Sequence, residues 1–90
     1  MQTVHIIVQG KVQGVFYRAS AKKAADGLGI CGWVKNTSEG HVEITAHGTE
    51  EAIENFLRWC AQGPEKAVVT NLTVTKREDE GPFSGFSILR

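Results

Sequence analysis

An α+β sandwich, with two helices on one face of a mostly antiparallel sheet, is the fold class this sequence predicts, and three observations predict it. Apolar residues alternate with period two near the start, in the middle and late in the chain. Between those stretches lie two segments whose apolar residues recur every three to four positions, the period of an amphipathic helix. Glycine, proline and a Thr-Ser pair fall where each pattern changes. At 90 residues the chain is expected to form one domain, 1–90, that buries roughly 60–70% of its unfolded surface without a metal or disulfide staple.

Each element has its own signal. Val4, Ile6 and Val8 alternate with His5, Ile7 and Gln9, a half-buried strand that ends at Gly10. From Tyr17, apolar positions recur at Ala21, Ala24, Ala25 and Leu28, so a helix runs until Gly29 stops it. Ile30 to Asn36 reads as a second strand. Thr37-Ser38-Glu39-Gly40 then turns into a third, in which Val42, Ile44 and Ala46 alternate with His41, Glu43, Thr45 and His47. The second helix has the clearest limits: Thr49 as N-cap, Glu50 and Glu51 in the first turn, Ile53, Phe56, Leu57 and Cys60 on one face, and Gly63-Pro64 as its end. Val68, Leu72 and Val74 mark a fourth strand running into the charged stretch from Lys76 to Glu80, and Phe86 with Ile88 a short fifth. Right-handed crossovers turn the order βαββαβ, plus the final strand, into the split βαβ or ferredoxin-like sandwich. That architecture hosts many activities, so function has to be read from the site.

Composition narrows the field. Ten Lys plus Arg balance ten Asp plus Glu, which leaves no bulk field to draw nucleic acid or an anionic membrane. The halves differ, however: residues 1–36 hold Lys11, Arg18, Lys22, Lys23 and Lys35 against Asp26 alone. Positive potential is therefore expected around the first strand-to-helix connection. The opening MQTVHIIVQG has neither a basic leader nor a long apolar run, and no later run is long enough to span a bilayer, so a cytoplasmic protein with no membrane partner is expected. Cys31 and Cys60 lack C-x-x-C or zinc spacing and read as reduced, structural thiols.

The connection itself, VQGKVQGVFYR over residues 8–18, carries the chemistry. Gly10 and Gly14 suit backbone with positive φ or close approach of a ligand. Just beyond them a helix begins, and at its N-terminus unpaired N–H groups and the positive end of the dipole gather, where successive amides can form an anion nest. Arg18, in the opening turn, adds a planar fork able to hold two phosphate oxygens. Neither the Walker pattern G-x-x-x-x-G-K-[ST] nor G-x-G-x-x-G is present, so a nucleotide P-loop is excluded.

These eleven residues closely resemble the first diagnostic motif of the acylphosphatases. Gly32-Trp33-Val34-Lys35-Asn36, followed by Gly40, Val42 and Gly48, resembles the second, and the resemblance spans essentially the whole chain. Tyr17 stands where many members carry Phe or Met. The resemblance implies a hydrolase without metal or cofactor that cleaves the carboxyl–phosphate bond of a small-molecule acyl phosphate, with inorganic phosphate as product or anion ligand. It maps phosphate holding to Gln13, Gly14, Val15, Phe16, Tyr17 and Arg18, and orientation of the attacking water to Asn36. A monomer is expected.

So few groups suffice for that chemistry. Phosphoryl transfer needs mainly positioning and stabilisation of charge on the equatorial oxygens. A carboxylate leaving group, with a solution pKa of roughly 4–5, departs near neutral pH without a general acid, whereas an alkoxide does not. Asn36, a neutral amide, is no strong base but can align a water.

Other candidates have plainer readings. His41 and His47 share a strand face about 20 Å apart, too far to ligate one ion, and His5 has no local partner of metal-ligand spacing. Ser20 lacks any Ser-His-Asp or Cys-His companion. Glu50, Glu51 and Glu54 read as helix-terminal and solvent-face charges. Phe16, Tyr17 and Trp33 either line an entrance or pack. Two alternatives share the element order: an RNA-recognition module, which Gly14-Val15-Phe16-Tyr17 faintly resembles, and a carbamoyl-phosphate-handling domain like that of hydrogenase maturation factors. The helix-entrance position of the two aromatics and a pI of 6.8 disfavour the first, so no nucleic-acid partner is expected. The chain length favours a stand-alone enzyme over the second.

Overall fold

The computed structural model describes residues 1–78 and 81–89; Asp79 and Glu80, the end of the charged stretch, lie outside the described residues, as does Arg90. The elements are β1 (Gln2–Lys11), α1 (Tyr17–Leu28), β2 (Cys31–Asn36), β3 (Val42–Gly48), α2 (Glu50–Gln62), β4 (Val68–Arg77) and β5 (Phe86–Ile88). They form a five-stranded sheet in the order β4-β1-β3-β2-β5, antiparallel except for the β2–β5 pair. The expected α+β sandwich is the observed fold.

Alternation decides the layers. Val4, Ile6 and Val8 of β1, Val34 of β2 and Val42, Ile44 and Ala46 of β3 all point to one face and are buried. Against them pack Tyr17, Ala21 and Ala25 of α1 and Ile53, Phe56 and Cys60 of α2, so both helices cover that face. The small side chains of α1 let it lie close to the sheet. Phe56 anchors α2, stacked at 6.1 Å on Trp59 and edge-on at 5.9 Å to Phe86. Across the core the Tyr17 hydroxyl donates to the Cys60 carbonyl at 2.7 Å, joining the two helices. Burial holds the Tyr17 phenol far above its usual range and pushes the Cys60 thiol up to about 12.

The other face of the sheet is polar and paired within itself. His5 meets Glu43 at 2.7 Å, Lys35 approaches the same carboxylate at 3.7 Å, and Thr3 pairs with His47 at 2.7 Å. Lys35 also lies over the Trp33 ring at 5.5 Å, so Trp33 packs there and does not line an entrance. Among the described residues no three His, Cys, Asp or Glu side chains gather as a metal site.

Two glycines are demanded by close backbone approach. Gly32 has φ 135°, and a Cβ there would collide with the Thr45 carbonyl oxygen of the neighbouring strand. Gly10 has φ 126° and faces the Val68 carbonyl where the β1–β4 register slips by one residue, between the pairs Gln9↔Asn71 and Gly10↔Val69. That slip inverts the alternation of β4. Val68, which the sequence pattern groups with Leu72 and Val74, is 57% exposed, while Val69 packs on the core beside Leu72.

Two outcomes are expected. Gly32→Ala should destabilise the fold by about 1–3 kcal/mol, read as a lower urea midpoint, because strand and side chain cannot both be accommodated. Stability should also fall in alkali. The buried Cys60 keeps its proton to about 12 while the unfolded chain releases it near 9.0, so the stabilisation is complete below the lower value and lost as pH rises through the upper one. Urea unfolding at increasing pH should show this loss, with a shallower slope in Cys60→Ala.

Candidate active site

The two helices begin in opposite ways. At α2, the Thr49 side chain accepts from the Ala52 amide at 3.1 Å, and Glu50 and Glu51 sit in the first turn, so its N-terminal charge is already answered. At α1 the N-cap is Phe16, which provides no side-chain cap, and the first turn contains no acid. Ser20 N is the first amide bonded in the helical pattern, to Phe16 O at 3.0 Å, which leaves the amides of residues 16–19 without intrahelical acceptors.

The loop before α1 aims those amides. Gly14 has φ 73° and Phe16 φ 63°, while Val15 between them is not in the positive region. Alternating signs of φ turn successive N–H groups toward one concavity, the geometry of an anion nest. Phe16 is the one non-glycine residue with positive φ among the described residues, a conformation that costs roughly 1–2 kcal/mol. Burial of Val15 and Tyr17 on either side pins it there, and leaves the Phe16 ring 80% exposed.

The concavity is a cavity of about 310 Å³ lined by Val12, Gly14, Phe16, Tyr17, Arg18, Ala19, Asn36 and Ile88. Of the residues expected to form the site, Gly14, Phe16, Tyr17, Arg18 and Asn36 meet here. Val15 is buried beneath the loop, and the Gln13 side chain is directed away, to Thr37 O at 2.9 Å and His41 O at 2.8 Å. Ser20 does not line the cavity. The Tyr17 phenol, bonded to the Cys60 carbonyl and held protonated in the core, is no acid or base for the site.

Arg18 and Lys22, one turn apart on α1, reach toward β5. The Arg18 guanidinium donates to Leu89 O and the Lys22 ammonium to Phe86 O, each at 3.0 Å. One anchored N–H leaves most of the five guanidinium donors available at the cavity. Opposite, Asn36 ends β2, and its side-chain oxygen is buried without a hydrogen-bond partner. An acceptor held this way loses about 1–3 kcal/mol relative to a satisfied one, so the position suits a small donor such as water.

The sequence pattern does not single out Ile88 as a site residue, or Leu89 at all. Neither carries a recognisable motif; the parallel pairing of β5 with β2, through Trp33↔Ser87 and Val34↔Ile88, is what brings Ile88 to the cavity and the Leu89 carbonyl to Arg18. Conversely, the glycine-aromatic stretch does not lie on a sheet strand, and its aromatics form no stacking platform on the open face.

The chain is similar in sequence and in fold to known proteins. The sequence pattern of the family described as Acylphosphatase matches residues 4–88. An acylphosphatase of Methylococcus capsulatus is 47% identical over 90 residues, covering 100% of this chain and 98% of the relative. The crystal structure of acylphosphatase from Bacillus subtilis superimposes with a TM-score of 0.96 at 38% identity, over 100% of both chains. Full-length HypF, in its phosphate- and nucleotide-bound form, matches with a TM-score of 0.86 at 26% identity, over 99% of this chain and 12% of that one.

Proposed function

The chain belongs to the acylphosphatase family, and from that premise we propose that it hydrolyses the carboxyl–phosphate bond of small acyl phosphates with the loop amides and Arg18 on the phosphoryl group and Asn36 on the attacking water. The observation that carries this assignment is the meeting of Arg18, the unclaimed start of α1 and the partnerless Asn36 oxygen around one cavity. The amides of the 13–18 loop and the guanidinium fork hold the phosphoryl oxygens. Their charge complementarity grows as negative charge spreads over the equatorial oxygens in the transition state. The Asn36 oxygen accepts from a water and turns its lone pair toward phosphorus. The water oxygen bonds to phosphorus as one of its protons passes to a phosphoryl oxygen, the P–O bond to the acyl group breaks, and its electron pair leaves on the carboxylate, giving inorganic phosphate. No general acid is required, and no cofactor enters any step.

The acyl group faces an apolar mouth. Phe16 is 80% exposed and Ile88 41% exposed, and Val12 and Ala19 line the same cavity. This reading favours acyl phosphates with an apolar body. Residues 1–90 act as one monomeric, cytoplasmic unit in this proposal; the family match across 4–88 and one continuous core support the single unit, and no described helix is long and apolar enough to cross a membrane. The family and full-length matches favour acyl-phosphate hydrolysis over the RNA-binding and carbamoyl-phosphate readings.

Phosphate release from benzoyl phosphate in EDTA, beside a phosphate monoester, tests the assignment. The wild type should act on the acyl phosphate alone. Asn36→Ala should lower kcat by about 10² or more with KM little changed, and Arg18→Ala should damage both. Near wild-type kcat in Asn36→Ala would sink the role given to that residue. Phe16→Ala should raise KM for benzoyl phosphate by about 10-fold while leaving acetyl phosphate nearly unaffected, since only the former has a ring to cover and Ala adds no cap for the free amides of α1.

A further inference from the structure

The phosphoryl-holding loop follows β1 and the water-side residue ends β2, yet these strands are not neighbours: β3 runs between them. Pairing through β3 sets their distance coarsely. Hydrolysis needs the reacting atoms aligned at about 3–3.5 Å, and a misplacement of about 1 Å costs roughly 10²-fold in rate. Asn36 is not held by a bond from its own side-chain oxygen, so its height above the loop must be set through the backbone.

The Gln13 side chain bridges the gap. From the loop it crosses the start of β3, and its Nε2 donates to Thr37 O at 2.9 Å and to His41 O at 2.8 Å. These carbonyls belong to a turn that is already closed on itself. Thr37 O also accepts from Gly40 N at 3.2 Å, His41 O from Thr37 N at 2.9 Å, and Thr37 Oγ1 from His41 N at 3.1 Å. Both hydrogens of one amide therefore enter a rigid ring whose first residue directly follows Asn36. The network also fixes the orientation of the amide, because the reverse placement would set Oε1 against two carbonyl oxygens.

We propose that Gln13 is a positioning residue for the hydrolysis: its side chain staples the β2–β3 turn to the phosphoryl-holding loop and so sets Asn36, and the water Asn36 aligns, at the correct height over phosphorus. The inference rests on the roles proposed for Asn36 and Arg18. A residue that served the loop alone would alter phosphate binding; one that serves Asn36 alters turnover and leaves phosphate binding in place.

The test is a double-mutant cycle of Gln13→Met and Asn36→Ala, read as kcat and KM for benzoyl phosphate and as competitive inhibition by inorganic phosphate. Gln13→Met keeps the length of the side chain and removes both donors. It should lower kcat by about 10-fold or more, change the phosphate inhibition constant less than about twofold, and have no further effect on kcat once Asn36 is Ala. Unchanged kcat in Gln13→Met, equal losses in both backgrounds, or loss of phosphate binding in proportion to kcat would each overturn the proposal. Gln13→Glu keeps the shape of the side chain and guards against a variant that fails to fold. Its carboxylate has no hydrogen to donate near neutral pH but regains one on protonation, so its kcat relative to wild type should rise as pH falls toward about 5. A flat ratio would count against the staple. Normal turnover by Asn36→Ala alone would instead remove the reading on which the inference rests, a separate outcome from failure of Gln13.

Discussion

Val42 is paired on both sides, with Val8 of β1 and with Asn36 of β2, and the site depends on that double register. With strands about 4.8 Å apart, it sets Val8, near the end of β1, and Asn36, at the end of β2, about 10 Å from each other toward the same rim of the sheet. The loop that gathers amides grows from one, and the residue suited to hold water stands on the other. A slip of one residue in either pairing would turn Asn36 or Val8 to the opposite face. The Gly32–Thr45 approach closes the β2–β3 spacing within the same ladder, so a backbone contact far from the chemistry helps maintain it.

The helix starts show one physical effect used in two ways. Thr49, Glu50 and Glu51 satisfy α2 internally, whereas α1 presents its first amides to a cavity. The arrangement at α1 has costs: a left-handed Phe16, an exposed aromatic ring and a buried acceptor without a partner. Burial of Tyr17, on the order of 1.5–3 kcal/mol, and its hydrogen bond to Cys60 offset them and hold the loop from beneath. Anchoring of Arg18 by Leu89 O limits the freedom of the guanidinium before substrate arrives, which lowers the entropy lost on binding.

Much of this is legible in the residues. Helix limits at Gly29, Thr49 and Gly63 arise from local stops and caps, and the alternation in β1 and β3 identifies the buried face before any contact is known. The motif residues Arg18 and Asn36 are found by family resemblance and converge as expected. Val68 is not legible, because a bulge in the pairing with β1 inverts the face of its strand, and a bulge is a property of two strands together. The three histidines attract attention in the sequence, yet His5 and His47 are engaged by Glu43 and Thr3 across strands.

Element types, their order, the core faces of β1 and β3 and the candidate site residues Arg18 and Asn36 are thus read from the sequence alone, because each is written in local spacing, caps or motif. The folded chain was needed to place Ile88 at the mouth, to tether Arg18 and Lys22 to Leu89 and Phe86, and to turn Gln13 from the phosphate loop to the Thr37 turn. Those contacts join residues far apart in the chain through a parallel edge strand and a crossing over β3. No periodicity along one segment can encode a distance between two.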